Sequence, residues 1–172
     1  MTKMFASAEE LSYNLTMTQL FTQNSAIIIR LLVAVGLGML IGLERVLVHK
    51  EAGMKTHALV SMGSALFIII SELISIKYAN IGGLDPTRIA SQVIVGIGFL
   101  GAGSIILQGS RLLGLTTAGG LWVTAGIGMA AGFGFFSLAT ISTILVLIIL
   151  VLVYLFEKPI RRISDGRDNG QV

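Results

Sequence analysis

The chain has 172 residues, of which 54% are apolar and 12% are charged, and its formal net charge is +3. A soluble domain usually has about 25% charged residues, so this chain has too little polar surface to coat a water-soluble globule. It contains no cysteine, which excludes disulfides and thiolate metal sites. Its basic residues form no aromatic-lined face of the kind that binds nucleic acid. The composition therefore predicts an integral membrane protein.

Five apolar segments approach the length of about 20 residues that a transmembrane helix needs. They lie at about 27–48, 57–76, 86–107, 116–134 and 138–156. The sequence thus predicts an all-α fold, a polytopic helical membrane protein with about five transmembrane helices. Its predicted parts are an N-terminal polar and amphipathic segment at 1–25, a five-helix membrane domain at 26–157, and a basic, disordered cytoplasmic tail at 158–172.

The segment before the first span has the pattern of a helix that lies on a membrane surface. Ser7 and Glu10 have the spacing of a capping box. Four apolar residues then form a stripe that suits the membrane interface: Phe5, Leu11, Leu15 and Leu20.

Two boundaries are marked by residues with restricted backbone preferences. Asp85 and Pro86 are a capping residue and a first-turn proline, so they predict the start of the third helix. The glycine- and phenylalanine-rich run at 132–137 predicts a tight hairpin between the fourth and fifth spans. A continuous, kinked segment is the alternative.

The distribution of lysine and arginine predicts the orientation, because cytoplasmic loops carry an excess of both. With the N-terminus outside, eight lie on the inner side: Arg45, Lys50, Lys55, Arg111, Lys158, Arg161, Arg162 and Arg167. Four lie on the outer side: Lys3, Arg30, Lys77 and Arg88. The count predicts an outside N-terminus and a cytoplasmic C-terminus.

Small residues predict which helices pack closely, because a glycine lets two backbones approach each other in a membrane. The predicted packing residues are Gly38, Gly42, Gly98, Gly101, Gly103, Gly128 and Gly132. They predict that spans one, three and four form the tight centre. The fifth span has no glycine and is predicted to lie at the periphery. So many small-residue faces also predict a homodimer.

Residues 96–101 match the dinucleotide-binding pattern G-x-G-x-x-G. That interpretation needs a preceding strand and an acidic residue about 20 positions further on. A helical span precedes the motif, and Gly119 and Gly120 occupy the expected acidic region. The motif is therefore assigned to helix packing, and no cofactor is predicted.

Ionisable residues within spans are costly and mark functional positions. Five polar residues are predicted to form an outer layer: Arg30, Glu72, Asp85, Arg88 and Gln92. Glu72 could pair with either arginine, and Gln92 lies one turn from Arg88 on the same face. The alternative for the arginines is that they extend to the lipid headgroups.

A second polar layer is predicted at the inner edge of the hydrocarbon. Its residues are Glu44, Arg45, Lys55, Thr56, His57, Thr116 and Thr117. Glu44 and Arg45 are adjacent in sequence and are predicted to have different partners. Lys55, His57 or a threonine could meet Glu44, and the alternative is a solvated anchor. The histidine spacing is not diagnostic of a metal site, and without a nucleophile and base no enzyme is predicted.

Four blocks of residues resemble the MgtC/SapB family of bacterial membrane proteins. They are Gly-Leu-Glu-Arg at 42–45 with Ala-Gly-Met-Lys-Thr-His-Ala-Leu-Val at 52–60, Asp-Pro-Thr-Arg-Ile-Ala-Ser-Gln-Val at 85–93, Gly-Ile-Gly-Phe-Leu-Gly-Ala-Gly at 96–103, and Gly-Leu-Thr-Thr-Ala-Gly-Gly-Leu-Trp at 114–122. The blocks occur in the family's order and cover about 31–134. On the predicted topology most of these residues fall on the cytoplasmic half, which predicts a polar site opening to the cytoplasm.

The resemblance implies an inner-membrane protein linked to growth in low magnesium and to survival of some pathogens inside host cells. It implies action on other membrane proteins, including the F-type ATP synthase, rather than transport of magnesium. The chain is expected to lack the soluble C-terminal domain of longer members. Thr116 and Val123 stand where the virulence-linked branch has Asn and Cys. A regulator of membrane proteins is therefore the first functional hypothesis, and an ion-conducting oligomer with polar layers at Glu44 and Arg88 is the alternative.

Overall fold

The fold is that of a computed structural model, which describes residues 24–79, 85 and 87–156 in full. Residues 2–23 and 157–168 are described only as backbone of the first and last helices. Two predictions lie outside the fully described residues. One is the apolar stripe within 1–25, and the other is the disordered tail at 158–172. Both stay predictions.

The chain forms five α-helices and one short β-hairpin. The helices are α1 Thr2–Leu47, α2 Met54–Lys77, α3 Thr87–Gly103, α4 Leu115–Gly132 and α5 Phe136–Asp168. The strands are β1 Ile106–Gln108 and β2 Arg111–Leu113, which pair antiparallel. The predicted all-α polytopic class is confirmed.

The β-hairpin was not predicted, because its apolar strands extend the hydrophobic run of α3. Helix α3 ends where the Ser104 hydroxyl donates to the Gly101 carbonyl at 2.7 Å and the Ser104 amide donates to the same carbonyl at 3.1 Å. These bonds compete with the regular helical pattern. Gly109 then turns the chain with φ of +62°, a conformation that glycine adopts readily.

Three helical segments among the described residues are long and apolar enough to cross a membrane: Asn24–Leu47, Met54–Lys77 and Phe136–Phe156. Helix α3 is apolar but has 17 residues, which is about 26 Å at 1.5 Å per residue. The hydrocarbon core is about 30 Å thick. Crossing by α3 and α4 therefore stays a prediction.

Helix α2 lies at the centre of the bundle, between α1 and α4. A Cβ atom at Gly38 of α1 would lie 2.6 Å from the His57 carbonyl oxygen, and one at Gly42 would lie 2.5 Å from Met54 Cα. From α4, Gly128 and Gly132 contact the backbones of Ser61 and Ala65 of α2, respectively. The predicted close packing of spans one and four is confirmed, but the prediction that span three shares this centre was wrong, because the glycines of α1 and α4 both face α2.

Helix α3 stands outside this centre and packs mainly on α4. A Cβ atom at Gly101 would lie 3.6 Å from Ala118 Cβ, which is ordinary contact. No other atom of the described chain lies within 4 Å of the Cβ positions at Gly98 and Gly103. The predicted packing role therefore does not apply to these two glycines within one chain, since α3 presents them away from α4.

The end of α4 and the start of α3 follow the local sequence signals. Gly134 adopts φ of +79° between α4 and α5, so the predicted tight hairpin at 132–137 is confirmed. The Asp85 carboxylate accepts a hydrogen bond of 2.8 Å from the Thr87 amide, so the predicted cap of α3 is confirmed. Most described side chains of α5 are exposed, and Ala139 and Thr143 face the bundle.

Candidate functional site: two charged clusters in the helix bundle

The turn between α1 and α2 brings charged residues of α1 close to the start of α2. His49 adopts a left-handed conformation with φ of 56°, and the Lys50 amide donates to the Arg45 carbonyl at 2.9 Å. This pattern closes a helix C-terminus and reverses the chain. Gly53 then precedes the first residue of α2. The short connection places the last turn of α1 beside the first turn of α2.

Three ionisable side chains are buried at this end of the bundle, and we call Glu44, Arg45 and His57 the Glu44 cluster. Their exposed fractions are 8%, 3% and 0%. Arg45 Nε lies 3.2 Å from Glu44 Oε2, and the Arg45 guanidinium also interacts electrostatically with His57. The prediction that Glu44 and Arg45 have different partners was wrong. Both side chains are buried beside α2, and a buried charge requires a counterion, which long side chains can supply to each other.

His57 connects α2 to α4 through a buried hydrogen bond. Its Nδ1 atom lies 2.9 Å from Thr124 Oγ1, and the Thr124 hydroxyl donates to the Gly120 carbonyl at 2.8 Å. Gly120 leaves room for the imidazole, because a Cβ atom there would lie 3.4 Å from His57 Cε1. Sequence reasoning missed Gly120 and Thr124, although their spacing of four residues on one helix face was a usable signal.

Several residues predicted for this site do not join the cluster. Lys55, Thr56 and Thr116 are exposed, whereas Thr117 is buried in α4. A helix turns about 100° per residue, so Lys55 and Thr56 point away from the direction of His57. Lys55 is therefore not the counterion of Glu44 that the sequence suggested.

At the other end of the bundle, Arg30 forms the centre of a second cluster. Its guanidinium forms an ion pair with Glu72 and donates to the Gly132 carbonyl at 3.1 Å. We call Arg30 and Glu72 the Arg30 cluster. It joins α1, α2 and the C-terminal end of α4, where free carbonyl groups favour a cation.

The remaining residues of the predicted outer layer lie apart from this cluster. Asp85, Arg88 and Gln92 are exposed on or next to α3. Glu72 pairs with Arg30 rather than with Arg88, because α3 stands outside the group formed by α1, α2 and α4. The Thr87 hydroxyl and amide both donate to the Asp85 carboxylate and hold its pKa below the usual value.

An apolar layer separates the two clusters. Arg30 and Glu44 are 14 positions apart on α1, which is roughly 21 Å along the helix. The buried apolar residues packed together in the bundle are Ala34, Ile41, Ala65, Ile127, Ala131 and Ala139. The charges at the two ends are thus compensated locally and are separated by these hydrocarbon side chains together with buried hydroxyls such as those of Ser64 and Thr143.

An apolar groove runs between α2 and α3, with a volume of about 550 Å³. Leu59, Phe67 and Ile89 are among the side chains that line it, and Gly63 and Gly96 lie on its two walls. Gln92 also lines the groove, and within the described part of the chain its amide has no hydrogen-bond partner. The groove is therefore apolar with one free polar group.

A resident metal ion does not fit the described side chains. No group of three or more His, Asp or Glu residues converges among the residues that the structure describes. Glu44 also lies next to the guanidinium of Arg45, which repels a cation.

A helical bundle with three long apolar helices, one buried charged cluster and one half-buried charged cluster defines a polytopic membrane protein. The chain belongs to the MgtC family, and the sequence model of this family matches residues 31–158. It is 44% identical over 128 residues to the Escherichia coli (strain K12) protein named "Putative magnesium transporter YhiD", and this match covers 72% of the chain and 58% of the relative.

Two further relatives are named Protein MgtC. The Salmonella typhimurium protein is 46% identical over 120 residues, which is 70% of the chain and 49% of that protein. The Brucella abortus protein is 43% identical over 111 residues, which is 64% of the chain and 44% of that protein. The chain thus spans about half the length of these relatives. No solved structure matches the chain.

Proposed function

We propose that the chain acts at the bacterial inner membrane in magnesium homeostasis or adaptation to low magnesium, by binding and regulating other membrane proteins. Family membership supports the link to magnesium, since the Escherichia coli relative is named for magnesium transport. The lysine and arginine count supports an outside N-terminus and a cytoplasmic C-terminus. In this orientation the Glu44 cluster lies on the cytoplasmic side.

The observation that carries a regulatory role is that the charges at both ends of the bundle are paired and the polar groups between them bond to their own helices. An ion pathway through a membrane protein needs available polar groups along its length, whereas the hydroxyls of Ser64, Thr124 and Thr143 donate to carbonyl groups within α2, α4 and α5. Ala34, Ala65 and Ile127 are buried between the clusters, and each cluster contains both an acidic and a basic side chain. This arrangement supports a compact bundle that presents its outer surface to partners.

The groove between α2 and α3 supplies a surface for such a partner. Because Gly63 and Gly96 have no neighbouring atom within 4 Å of their Cβ positions, a helix backbone could approach both walls closely. The Gln92 amide could accept a hydrogen bond from a polar side chain of that helix, which a lipid hydrocarbon chain cannot provide. The proposed occupant is a transmembrane helix of another membrane protein, and the F-type ATP synthase implied by the family resemblance is a candidate source.

Filling the groove tests this proposal, with a matched control on the same helix. Gly96→Leu should reduce growth in low magnesium and reduce recovery of partner proteins after crosslinking in cells. Gly98→Leu should retain both, since Gly98 does not line the groove and also has no atom within 4 Å. Equal behaviour of the two variants at equal membrane expression would refute the groove as the partner site.

Ion transport is the second candidate, which the name of the Escherichia coli relative and the buried Glu44 cluster favour. Magnesium flux into liposomes that contain the purified chain separates the two functions. If the chain is a regulator, magnesium flux into these liposomes should equal the flux into protein-free liposomes. Flux well above that level, abolished by Glu44→Gln, would replace the regulatory proposal by transport.

A further inference from the structure

Six buried side-chain atoms near the α1–α2 turn have no hydrogen-bond partner within the described chain: Glu44 Oε1 and Oε2, Arg45 Nε and Nη1, His57 Nε2 and Ser61 Oγ. Arg45 Nε and Glu44 Oε2 form the ion pair of 3.2 Å, which leaves the other four without a polar partner among the described residues. Their four side chains are each more than nine-tenths buried. Buried polar groups in native proteins are almost always paired with protein atoms or with ordered water. So many unpaired atoms in one region indicate a ligand that can bind several of them.

Ser61 belongs with the Glu44 cluster because of its position on α2. It follows His57 by one helical turn, so both side chains lie on the same face. Helix α1 crosses α2 at this face, where a Cβ atom at Gly38 would lie 2.6 Å from the His57 carbonyl oxygen and 2.9 Å from Ser61 Cβ. His57 and Ser61 therefore border the α1–α2 contact, and Arg45, which pairs with Glu44, interacts with His57.

The hydrogen bonds of His57 and Thr124 determine whether His57 Nε2 can donate or accept a hydrogen bond. The only proton of the Thr124 hydroxyl is donated to the Gly120 carbonyl. With the Thr124 proton used in this way, the bond between His57 Nδ1 and Thr124 Oγ1 uses a proton on Nδ1, and the imidazole also interacts with the backbone of Ala52. In the neutral imidazole the other nitrogen, Nε2, therefore carries a lone pair and accepts a hydrogen bond.

The charges of the site limit the ligand to a small neutral molecule. Glu44 and Arg45 compensate each other, and burying a further net charge would be unfavourable. The ligand must also donate to Glu44 and to His57 Nε2 while accepting from Arg45. Ser61 can bind either a donor or an acceptor. Water meets all of these requirements, whereas a magnesium ion would lie beside a guanidinium and find fewer than three acidic or imidazole ligands among the described residues.

We propose that ordered water, about two or three molecules at two to four hydrogen bonds each, links Glu44 and Arg45 of α1 to His57 and Ser61 of α2. Through the Nδ1 bond of His57 to Thr124, this water network also reaches α4. It connects the three central helices by polar contacts at the end of the bundle that is opposite the Arg30 cluster. The proposal does not depend on the function of the chain.

Two serines of α2 provide a test of bound water. The sign of the Tm difference between their alanine variants distinguishes a hydrated site from a dry one. Both are buried, but Ser64 Oγ donates to the Val60 carbonyl at 2.8 Å, whereas Ser61 Oγ is unpaired. If water binds Ser61, Ser61→Ala should lower the Tm of the full chain in lipid nanodiscs by about 2–4 °C relative to Ser64→Ala. In a dry site, removal of an unsatisfied hydroxyl stabilises the protein. A Tm for Ser61→Ala equal to or above that of Ser64→Ala would therefore overturn the proposal.

Nitrogen-15 NMR of the histidine-labelled full chain tests the site without changing it. A His49→Gly sample assigns the His57 signals, because His49 and His57 are the two histidines. The expected result is a protonated Nδ1, an unprotonated Nε2 and magnetisation transfer from water to Nε2. A proton on Nε2 at neutral pH, absence of transfer from water, or a shift of the Nε2 signal on addition of magnesium chloride would each contradict bound water.

Discussion

Gly38→Ala should destabilise the protein, although alanine is the better helix former. The new Cβ atom would lie 2.6 Å from the His57 carbonyl oxygen, while ordinary contact begins at 3.4 Å. The difference, 3.4 minus 2.6, is 0.8 Å, and it must come from movement of α1 relative to α2. A local adjustment is restricted because Gly42, one turn further, is equally close to the backbone of Met54.

The magnitude follows from two opposing terms. Replacing glycine by alanine inside a helix stabilises it by roughly 0.5–1 kcal/mol. Overpacking of a close contact costs about 1–3 kcal/mol, and separation of the helices at Gly38 also weakens the neighbouring contacts at Gly42. The expected net loss is up to roughly 2.5 kcal/mol, because the atoms in the way belong to the backbone and cannot rotate aside.

Gly36→Ala is the matched control, because no atom lies within 4 Å of its Cβ position. It should raise the free energy of unfolding by roughly 0.5–1 kcal/mol. Because this helix term is common to both variants, they should differ by the overpacking cost of about 1–3 kcal/mol, or about 2–12 °C in Tm. Thermal unfolding in nanodiscs, followed by circular dichroism, measures this difference. If Gly38→Ala is as stable as Gly36→Ala, the close crossing of α1 and α2 is refuted.

Two further predictions concern the helix ends. His49→Gly should raise Tm by about 2–4 °C, since the left-handed conformation at φ of 56° costs a side-chain-bearing residue about 1 kcal/mol; a lower Tm in thermal unfolding would show that the His49 side chain stabilises the turn. The pKa of Asp85 is lowered by hydrogen bonds from Thr87, so its carboxylate should stabilise the start of α3 at and above its usual pKa, and this stabilisation should be lost as the pH falls through the lowered value. Tm should therefore fall more on acidification in the parent chain than in Asp85→Asn, and identical pH profiles would contradict the cap.

The sequence alone determined the class of the protein and several helix boundaries. Apolar segments of sufficient length must satisfy their backbone hydrogen bonds internally, which leaves helices as the simple solution in a membrane. The capping residue Asp85 and the hairpin at Gly134 were predictable because each depends on neighbouring residues alone. The four motif blocks were sufficient to indicate the MgtC family, and the family match confirms it.

The pairing of charges was less predictable. Arg30 and Glu72 were correctly placed in one layer, but the sequence did not distinguish Arg30 from Arg88 as the partner of Glu72. Glu44 was expected to meet a residue of another helix, and it pairs with its neighbour Arg45. The contact of His57 with Thr124 depends on where α4 lies against α2, which is information that the spacing within each helix does not contain.

Only the tertiary structure determined that α2, and not the more glycine-rich α3, lies at the centre of the bundle. Gly38 and Gly98 look alike in the sequence, but Gly38 contacts the backbone of α2, whereas Gly98 has no atom of another described element within 4 Å of its Cβ position. In a soluble protein, hydrophobicity itself marks the buried face of a helix. In a membrane, lipid and protein interior are similarly apolar, so the pattern of apolar residues does not distinguish them and close packing between particular helices decides which face is buried.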